Sequence, residues 1–259
     1  IARQIANAHT AFNVVNTLLF MPFTGLYIKF IEKCLPGKGE IISRKPAYLD
    51  EKMLVTPSIA MGLAVKEIVR MGNMARHNVE VGMQALEDKD ENKIKYVLEH
   101  EPVIDALEED ITRYLTKMSE KEMGAELSAM HTRLLHACTD IERIGEALAK
   151  DARRMFEDDV KFSEEAKTEL RALGELVMQA SGKAMEALAN NDKVLAQEAW
   201  DICRQVKKAQ KEIRKNHIVR LNEKRCDPVA GFMMMEILIN LKRVSDHSKN
   251  ISQIVLGIF

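Results

Sequence analysis

The sequence predicts an all-α protein in which an N-terminal transmembrane helix is followed by two tandem three-helix bundles. Three observations predict this fold class. Aromatic residues make up only 5% of the 259 residues, with 12 glycines and 6 prolines, and this composition suits long helices better than strands and tight turns. An uncharged segment lies near the start of the chain. After it, a pattern of about one hundred residues occurs twice, which indicates two copies of one folding unit.

The uncharged segment runs from Gln4 to Ile28 and contains no Asp, Glu, Lys or Arg. A helix needs about 20 mostly apolar residues to cross a bilayer. Membrane helices also tolerate residues such as Pro22 and Gly25 better than other helices do. We therefore predict a transmembrane helix within residues 1–35. A buried or interfacial helix and a secretory signal are the alternatives for this segment.

Basic residues are distributed unequally around this segment. Only Arg3 precedes it, whereas five follow it: Lys29, Lys33, Lys38, Arg44 and Lys45. Since the basic flank of a membrane helix tends to lie in the cytoplasm, the pattern predicts a location in the cell inner (plasma) membrane, with the chain cytoplasmic after about residue 35. The four cysteines show no C-x-x-C spacing, as expected of a reducing compartment.

A linker separates the uncharged segment from the helical region. We assign it to residues 36–54, because four helix-breaking residues lie within them: Pro36, Gly37, Gly39 and Pro46. The first bundle is then assigned to residues 55–158 and the second bundle to residues 159–259.

Helix-start signals define the three helices of the first bundle. Thr56 is a candidate N-cap and Pro57 suits the first helical position, so the first helix is predicted from there to about residue 86. The second helix is predicted over about residues 90–118. Ser119 and Glu122 have the spacing of a capping box, which predicts that the third helix begins there and continues to about residue 157.

The second bundle repeats this order of helices. Its first helix is predicted over about residues 163–189, and the pair Asn191 and Asp192 marks the turn into the next helix. Asp227 followed by Pro228 marks the start of the last helix, which is predicted to end near residue 257.

Two alignments within the chain support the duplication. Residues 83–111 align with residues 185–213 without a gap, and residues 139–152 align with residues 239–252. The apolar positions of the third helices correspond, and their three- and four-residue spacing predicts that they face the bundle interiors. These positions are Ile141, Ile144 and Leu148 in the first copy and Leu241, Val244 and Ser248 in the second.

The repeated helices resemble a known family. The E-x-x-x-D pattern at Glu101 and Asp105, together with DIERIGEALAKDA at residues 140–152, resembles the PhoU proteins of bacterial phosphate regulation. The early segment ARQIANAHTAFNVVNTLLFMPF is similar to the last membrane segment of bacterial type II sodium/phosphate cotransporters, which commonly end in a cytoplasmic PhoU-like domain. The glutamine-serine-serine signature of those cotransporters does not occur in the sequence.

These resemblances imply a function. Residues 1–35 would be the last transmembrane helix of a sodium-dependent phosphate transporter, and the bundles its cytoplasmic regulatory domain. The sodium and phosphate sites would lie upstream of this sequence. The partners would be the lipid bilayer, the remainder of the transporter membrane core and a cytoplasmic regulatory protein. The alternative is a PhoU-like metal-binding adaptor that regulates a separate phosphate uptake or signalling complex.

The resemblance to PhoU proteins also implies a metal site. Those proteins bind clusters of iron or zinc through acidic residues on the second and third helices of each bundle. The residues that match in the first bundle are Glu101, Asp105, Glu142 and Glu146. If Ile141 and its apolar neighbours face inward, the helical rotation turns both glutamates outward, so the metal would lie on the surface of the first bundle. An ordinary charged surface is the alternative.

The second bundle departs from this acidic pattern. The counterparts of the four acids are Cys203, Lys207, Lys242 and Asp246. Lys242 lies one helical turn from Asp246 and would neutralise it, which leaves less reason for a metal. Asp246, His247 and Asn250 could still offer ligands. Arg143 and Arg243 occur in both copies, and we predict that they pair with nearby acids rather than bind phosphate.

Charge and motifs exclude two classes of function. The net charge of −1 gives the chain no electrostatic attraction for nucleic acid. The sequence contains no G-x-G-x-x-G, no P-loop, no H-E-x-x-H and no Glu-x-x-His. We therefore predict that the protein is not an enzyme.

Overall fold

The computed structural model describes residues 2–23, 44–158 and 160–258. It divides into two compact units, Ile1–Ile42 and Ser43–Phe259, and each is described by itself. Residues 24–43, which hold the end of the predicted membrane segment and the first part of the predicted linker, lie outside the described residues.

The first unit contains helix α1, Ala2–Phe20, followed by a single 3₁₀ turn, Met21–Phe23. Among the described residues, none of the helices combines the length and the apolar character needed to cross a membrane. Helix α1 has 19 residues, and three of them, Asn7, Asn13 and Asn16, carry polar amides that lower its apolar character. The helix also ends before Pro22, because proline disfavours helical geometry in the residue that precedes it.

This finding corrects three predictions. The predicted transmembrane helix and the predicted location in the inner membrane are wrong. The cytoplasmic orientation predicted for the residues after about 35 was inferred from that helix, and it is therefore withdrawn as well. Contact of the helix with a lipid bilayer has no support from the described residues.

The second unit contains the predicted helices. A short 3₁₀ helix, Glu51–Val55, comes first. The first bundle then consists of α2, Pro57–Asp88, α3, Glu91–Ser119, α4, Ala125–Glu146, and the short α5, Ala149–Glu157. The second bundle consists of α6, Glu164–Asn190, α7, Lys193–Asn222, and α8, Pro228–Leu256. The all-α class with two three-helix bundles is therefore confirmed, with the third helix of the first bundle divided in two.

The tight turns inside the two bundles are copies of each other. Lys89 ends α2 in the left-handed conformation with φ 53°, and Asn191 ends α6 in the same way with φ 51°. The next residue is an N-cap aspartate in both copies. The Asp90 side chain accepts a hydrogen bond from the Asn92 N–H at 2.9 Å, and Asp192 accepts one from the Val194 N–H at 2.8 Å. Each cap satisfies an N–H group that the first turn of the helix leaves without a partner.

The third helix of the first bundle differs from the prediction at both ends. Ser119 does not cap it: this residue ends α3, and its hydroxyl donates to the Thr116 carbonyl at 2.6 Å. Gly124 is the N-cap of α4 instead. The helix then breaks after Glu146, where the Ala147 N–H bonds the Ile144 carbonyl three residues back in place of the usual four.

The predicted inward positions are buried. Ile141, Ile144 and Leu148 are at most 3% exposed, and Leu241, Val244 and Ser248 are fully buried. Since apolar burial is the main favourable contribution to folding, these residues hold the third helices against the other two in each bundle.

Glu67 anchors the segment that leads into the first bundle. Its carboxylate is fully buried on α2 and accepts hydrogen bonds from the N–H groups of Ala47 and Tyr48 at 2.8 and 2.6 Å. Arg70 donates its Nε–H to the same carboxylate at 2.6 Å. The described residues of the predicted linker are therefore held against α2.

The two bundles pack through their first helices and through α4, α5 and α8. Gly72 on α2 faces Met185 on α6, and Gly174 on α6 faces Met83 on α2. As residue numbers rise along α2 the contacting numbers fall along α6, so these two helices run antiparallel. Equivalent residues exchange roles across the contact, as they do at the interface of a twofold-symmetric dimer.

Candidate functional site

The acidic residues predicted from the family resemblance lie on one face of the first bundle. Glu101 and Asp105 are on α3, and Glu142 and Glu146 are on α4. All four are partly exposed; the side chains of Glu142 and Glu146 are 19% and 28% exposed. They lie on the surface of the bundle, as the helical rotation predicted for Glu142 and Glu146. We refer to these four residues as the acidic face.

The carboxylates of the acidic face influence one another. Burial raises the pKa of Glu101, and the charges of Asp105 and Glu146 raise it further. Burial likewise raises the pKa of Asp105, with a contribution from Glu146. Burial is also the main cause of the raised pKa of Glu142, to which Asp105 and Glu146 add. The structure therefore brings together the four acids that the sequence places on two different helices.

Two basic side chains already contact this face. Arg143 lies 3.4 Å from the carboxylate of Glu142 and 3.3 Å from that of Glu146. The Lys150 ammonium donates to Glu146 at 2.8 Å, and this hydrogen bond is the main cause of the lowered pKa of Glu146. The prediction that Arg143 pairs with nearby acids is confirmed. Arg243 differs, because its guanidinium donates to the amide oxygen of Asn240 at 3.4 Å.

The arrangement of the acidic face does not by itself suit a metal. Within the described ranges, no group of three or more His, Cys, Asp or Glu side chains could hold a metal ion. Carboxylate oxygens do bind hard cations, but Arg143 and Lys150 occupy part of this face. The iron or zinc site at Glu101, Asp105, Glu142 and Glu146 stays a prediction, and a metal would have to displace these two basic groups from Glu142 and Glu146.

The second bundle replaces the acidic face with neutral and paired groups. Cys203 is buried, its thiol donates to the Ser245 carbonyl at 3.3 Å, and burial raises its pKa. Lys242 forms an ion pair with Asp246, so the predicted internal neutralisation of Asp246 is confirmed. Lys207 is exposed.

The remaining candidate ligands of the second bundle bind the first bundle instead. His247 donates its Nδ1–H to the Asp140 carboxylate at 2.7 Å, and the Asn250 amide donates to the same oxygen at 3.1 Å. Nearby, the Asn240 amide donates to the carboxylate of Asp151 at 2.6 Å. Spacing along one helix could not reveal these bonds, because the partners are on average about one hundred residues apart and meet only when the bundles pack.

The comparison with family models identifies the repeated unit. The model described as "PhoU domain" matches residues 68–155 and again residues 170–255. The two matches fall on the two bundles, which agrees with the internal duplication. No comparison supports a sodium/phosphate cotransporter membrane segment in this chain.

Two kinds of curated relative are similar to the chain. A Salmonella typhimurium protein named for inorganic phosphate export, YjbB, is 24% identical over 189 residues, which cover 71% of this chain and 35% of that protein. A Xylella fastidiosa protein named as a PhoU homologue, an accessory protein of a phosphate-specific transport system, is 25% identical over 193 residues, which cover 74% of this chain and 81% of that protein. The chain thus spans about a third of the first relative and about four fifths of the second.

Solved structures share the fold. PhoU from Pseudomonas aeruginosa superposes with a TM-score of 0.71 at 22% identity, covering 75% of this chain and 94% of that one. PhoU from Streptococcus pneumoniae gives a TM-score of 0.70 at 16% identity, covering 78% and 96%. At these identities the likeness concerns the fold alone. The family match extends over more than half of the chain and includes both bundles, and the chain therefore belongs to the PhoU domain family.

Proposed function

We propose that this chain is a regulatory, non-enzymatic accessory module of a phosphate-transport system. The observation that carries the proposal is the PhoU domain match over both bundles. Relatives named as accessory proteins of phosphate-specific transport and as a phosphate export protein support the same process. The adaptor form, in which the chain acts on a separate phosphate uptake or signalling complex, has better support than a role as the transmembrane end of a transporter.

We infer that the module acts through the acidic face of the first bundle. Three of its carboxylates, those of Glu101, Asp105 and Glu142, have raised pKa values, of which burial is the main cause and neighbouring acids a further one. A basic surface on a partner would relieve that repulsion, and complementary charges favour both encounter and specificity. Binding that differs between two conformations of the transport protein would shift the balance between them.

Phosphate flux in cells of the source organism tests this proposal. A strain that lacks residues 44–258 is compared with one that carries the intact chain, and uptake and efflux of radioactive phosphate are both measured. We expect flux to change by about fivefold, the lower end of typical couplings between sites. Equal flux in the two strains would show that the chain does not regulate phosphate transport.

A charge-reversal pair tests the acidic face separately. Glu101→Lys with Asp105→Lys should behave like the deletion, because it removes the negative charge that a basic partner would bind. Glu120→Lys with Glu122→Lys is the matched control: it makes the same change of charge at exposed positions between α3 and α4. Restoration of regulation by both double variants would mean that a different surface contacts the partner.

A further inference from the structure

A small pocket lies at one end of the second bundle, where α6 and α8 begin and α7 ends. Its volume is about 170 Å³, several times the roughly 30 Å³ that one water molecule occupies in the liquid. The N-cap residues of α6 and α8 line it, as do basic side chains from α7 and from the adjoining loops. The residues used below are Lys161, Ser163, His217, Arg220, Arg225 and Asp227.

His217 places an unused hydrogen-bond acceptor beside this pocket. The side chain is 2% exposed, and its Nε2–H donates to the Gly231 carbonyl at 3.1 Å. Gly231 permits this approach, because a Cβ there would lie 3.3 Å from the ring nitrogen. With its proton on Nε2, the neutral ring keeps a lone pair on Nδ1. That atom is buried and has no hydrogen-bond partner in the described part of the chain.

Arg220 places an unused donor one helical turn away. The residue is 7% exposed, and its terminal nitrogens donate to the Glu169 carboxylate at 3.2 and 2.5 Å. Its Nε–H is buried and, among the residues described, finds no acceptor. One acceptor and one donor, both buried and both unpaired, therefore belong to side chains that line the same pocket.

The first bundle shows that the fold does not require these polar groups. If the alignment of residues 83–111 with residues 185–213 is continued without a gap, it pairs Leu115 with His217 and Met118 with Arg220. Leu115 and Met118 are both fully buried and fill the equivalent place with apolar side chains. Since an unpaired polar group in the interior is destabilising, the two polar residues of the second bundle call for a partner outside the chain.

We propose that this pocket binds a small free oxyanion that retains one proton, the chemical class of hydrogen phosphate. The protonated oxygen would donate to Nδ1 of His217, and an unprotonated oxygen would accept from Nε–H of Arg220. Lys161 and Arg225 also line the pocket, and Arg225 is paired with Glu165 at 2.9 Å and with Glu223 at 3.2 Å. The N-terminal end of α6, capped by the neutral Ser163, contributes partial positive charge. The N-terminal end of α8 is already capped by the Asp227 carboxylate, which accepts from the Val229 and Ala230 N–H groups.

This proposal goes beyond the regulatory role, because it concerns a ligand of the chain itself. Binding measurements on the purified protein test this proposal, and their outcome does not depend on what the chain does to a transport system. A negative result in the phosphate-flux experiment would leave it standing, and a negative binding result would leave the regulatory proposal standing.

Titration calorimetry of the full chain with inorganic phosphate near pH 7 is the direct test. We expect measurable binding of phosphate and binding of sulfate that is about tenfold weaker or more, because sulfate has no proton to donate to His217. Glycerol 3-phosphate distinguishes a free ion from a phosphate ester such as a lipid headgroup. Absence of phosphate binding, equal binding of sulfate or tighter binding of the ester would each overturn the proposal.

His217→Leu tests the site, because it copies the Leu115 of the first bundle. We expect loss of phosphate binding by about tenfold or more, with a melting temperature without phosphate equal to or above that of the unsubstituted protein. His131→Leu is the matched control: His131 is also buried and bonds a backbone carbonyl, at 2.8 Å, but it does not line the pocket. Unchanged phosphate binding by His217→Leu would show that the ion binds elsewhere and would contradict the proposal.

A spectroscopic measurement on the unsubstituted chain does not depend on the folding of any variant. The ¹⁵N chemical shift of His217 Nδ1 reports whether that atom accepts a hydrogen bond. We expect addition of phosphate to shift it and addition of the same concentration of chloride to leave it in place. If addition of phosphate left the ¹⁵N chemical shift of His217 Nδ1 unchanged, the proposed contact would be contradicted.

Discussion

Gly72 lies against the side chain of Met185, so closely that a Cβ on Gly72 would collide with the Met185 sulfur. The contact recurs in exchanged form at Gly174, where a Cβ would lie 2.7 Å from the terminal methyl of Met83. Gly72 and Gly174, like Met83 and Met185, are equivalent positions of the two repeats. The duplicated sequence thus supplies both sides of the contact between the two bundles.

Substitution of Gly72 by alanine should destabilise the protein. The new methyl group would force Met185 and the neighbouring helix to move, and overpacking of this kind costs about 1–3 kcal/mol, against roughly 1 kcal/mol gained from the better helix propensity of alanine. Gly174→Ala should cost less, because it meets only the flexible end of Met83. The free energy of unfolding in urea measures both effects.

Gly62→Ala is the control for these two variants. Gly62 is also inside α2, but a Cβ there would have no neighbour within 4 Å. We expect this change to stabilise the protein by about 0.5–1 kcal/mol, since only the helix propensity changes. Equal effects of Gly62→Ala and Gly72→Ala would show that the contact with Met185 is looser than described.

Asp140→Ala should weaken the contact between the bundles. The carboxylate accepts hydrogen bonds from His247 and Asn250, and its side chain is only 12% exposed. Its removal leaves two partly buried donors without an acceptor, which we expect to lower the free energy of unfolding by about 1–3 kcal/mol. Asp110→Ala removes an acid whose partner, Arg113, is 60% exposed, and should change stability by less than about 0.5 kcal/mol. Similar losses for the two variants would argue against a special role of Asp140.

The acidic face should make stability depend on pH. Burial, followed by the charges of Asp105 and Glu146, raises the pKa of Glu101 in the folded protein above its ordinary value of 4.5. Between the ordinary and the raised value the folded state binds more protons, so stability falls as pH rises through that window. Glu101→Gln should therefore be more stable than the unsubstituted protein near pH 7, and this difference should shrink as pH falls below 4.5.

Urea unfolding at several pH values measures this difference. Glu99→Gln is the control, because Glu99 lies on the same helix with its side chain 58% exposed and its ion-pair partner Lys95 is 3.8 Å away. We expect that variant to follow the pH dependence of the unsubstituted protein. A Glu101→Gln variant that is less stable at neutral pH would reverse the sign and refute the argument.

Elemental analysis tests the predicted iron or zinc on the acidic face. Because Arg143 and Lys150 contact Glu142 and Glu146, we expect Lys150→Ala to retain more metal than the unsubstituted chain after dialysis. Glu101→Ala combined with Glu146→Ala should retain less. Equal metal content in that double variant and the unsubstituted protein would rule out these residues as ligands.

Much of the helical framework could be predicted from local signals. The caps at Asp90 and Asp192 and the helix starts at Pro57 and Pro228 are each encoded by a few adjacent residues, so neighbouring sequence suffices to find them. Ser119 shows the limit of such signals. Its spacing to Glu122 fits a capping box, yet the hydroxyl bonds backward into α3, because a serine can satisfy either helix end.

The membrane prediction failed for a related reason. The segment from Gln4 to Ile28 contains no charged residue, but this is a property of its composition only. Crossing a bilayer also requires one helix that is long and apolar throughout. Helix α1 ends at Phe20 and carries several amide side chains. The missing charge was visible in the sequence, whereas the end of the helix became visible only in the structure.

The sequence by itself determined the duplicated helices and their inward faces, because helical periodicity and capping act over a few residues. The four residues of the acidic face came from the resemblance to the PhoU family. Only the tertiary structure decided that Asp140 holds His247 and that His217 and Arg220 border one pocket. Those relationships join residues on different helices or at packed helix ends, and the packing of the bundles sets the distances between them.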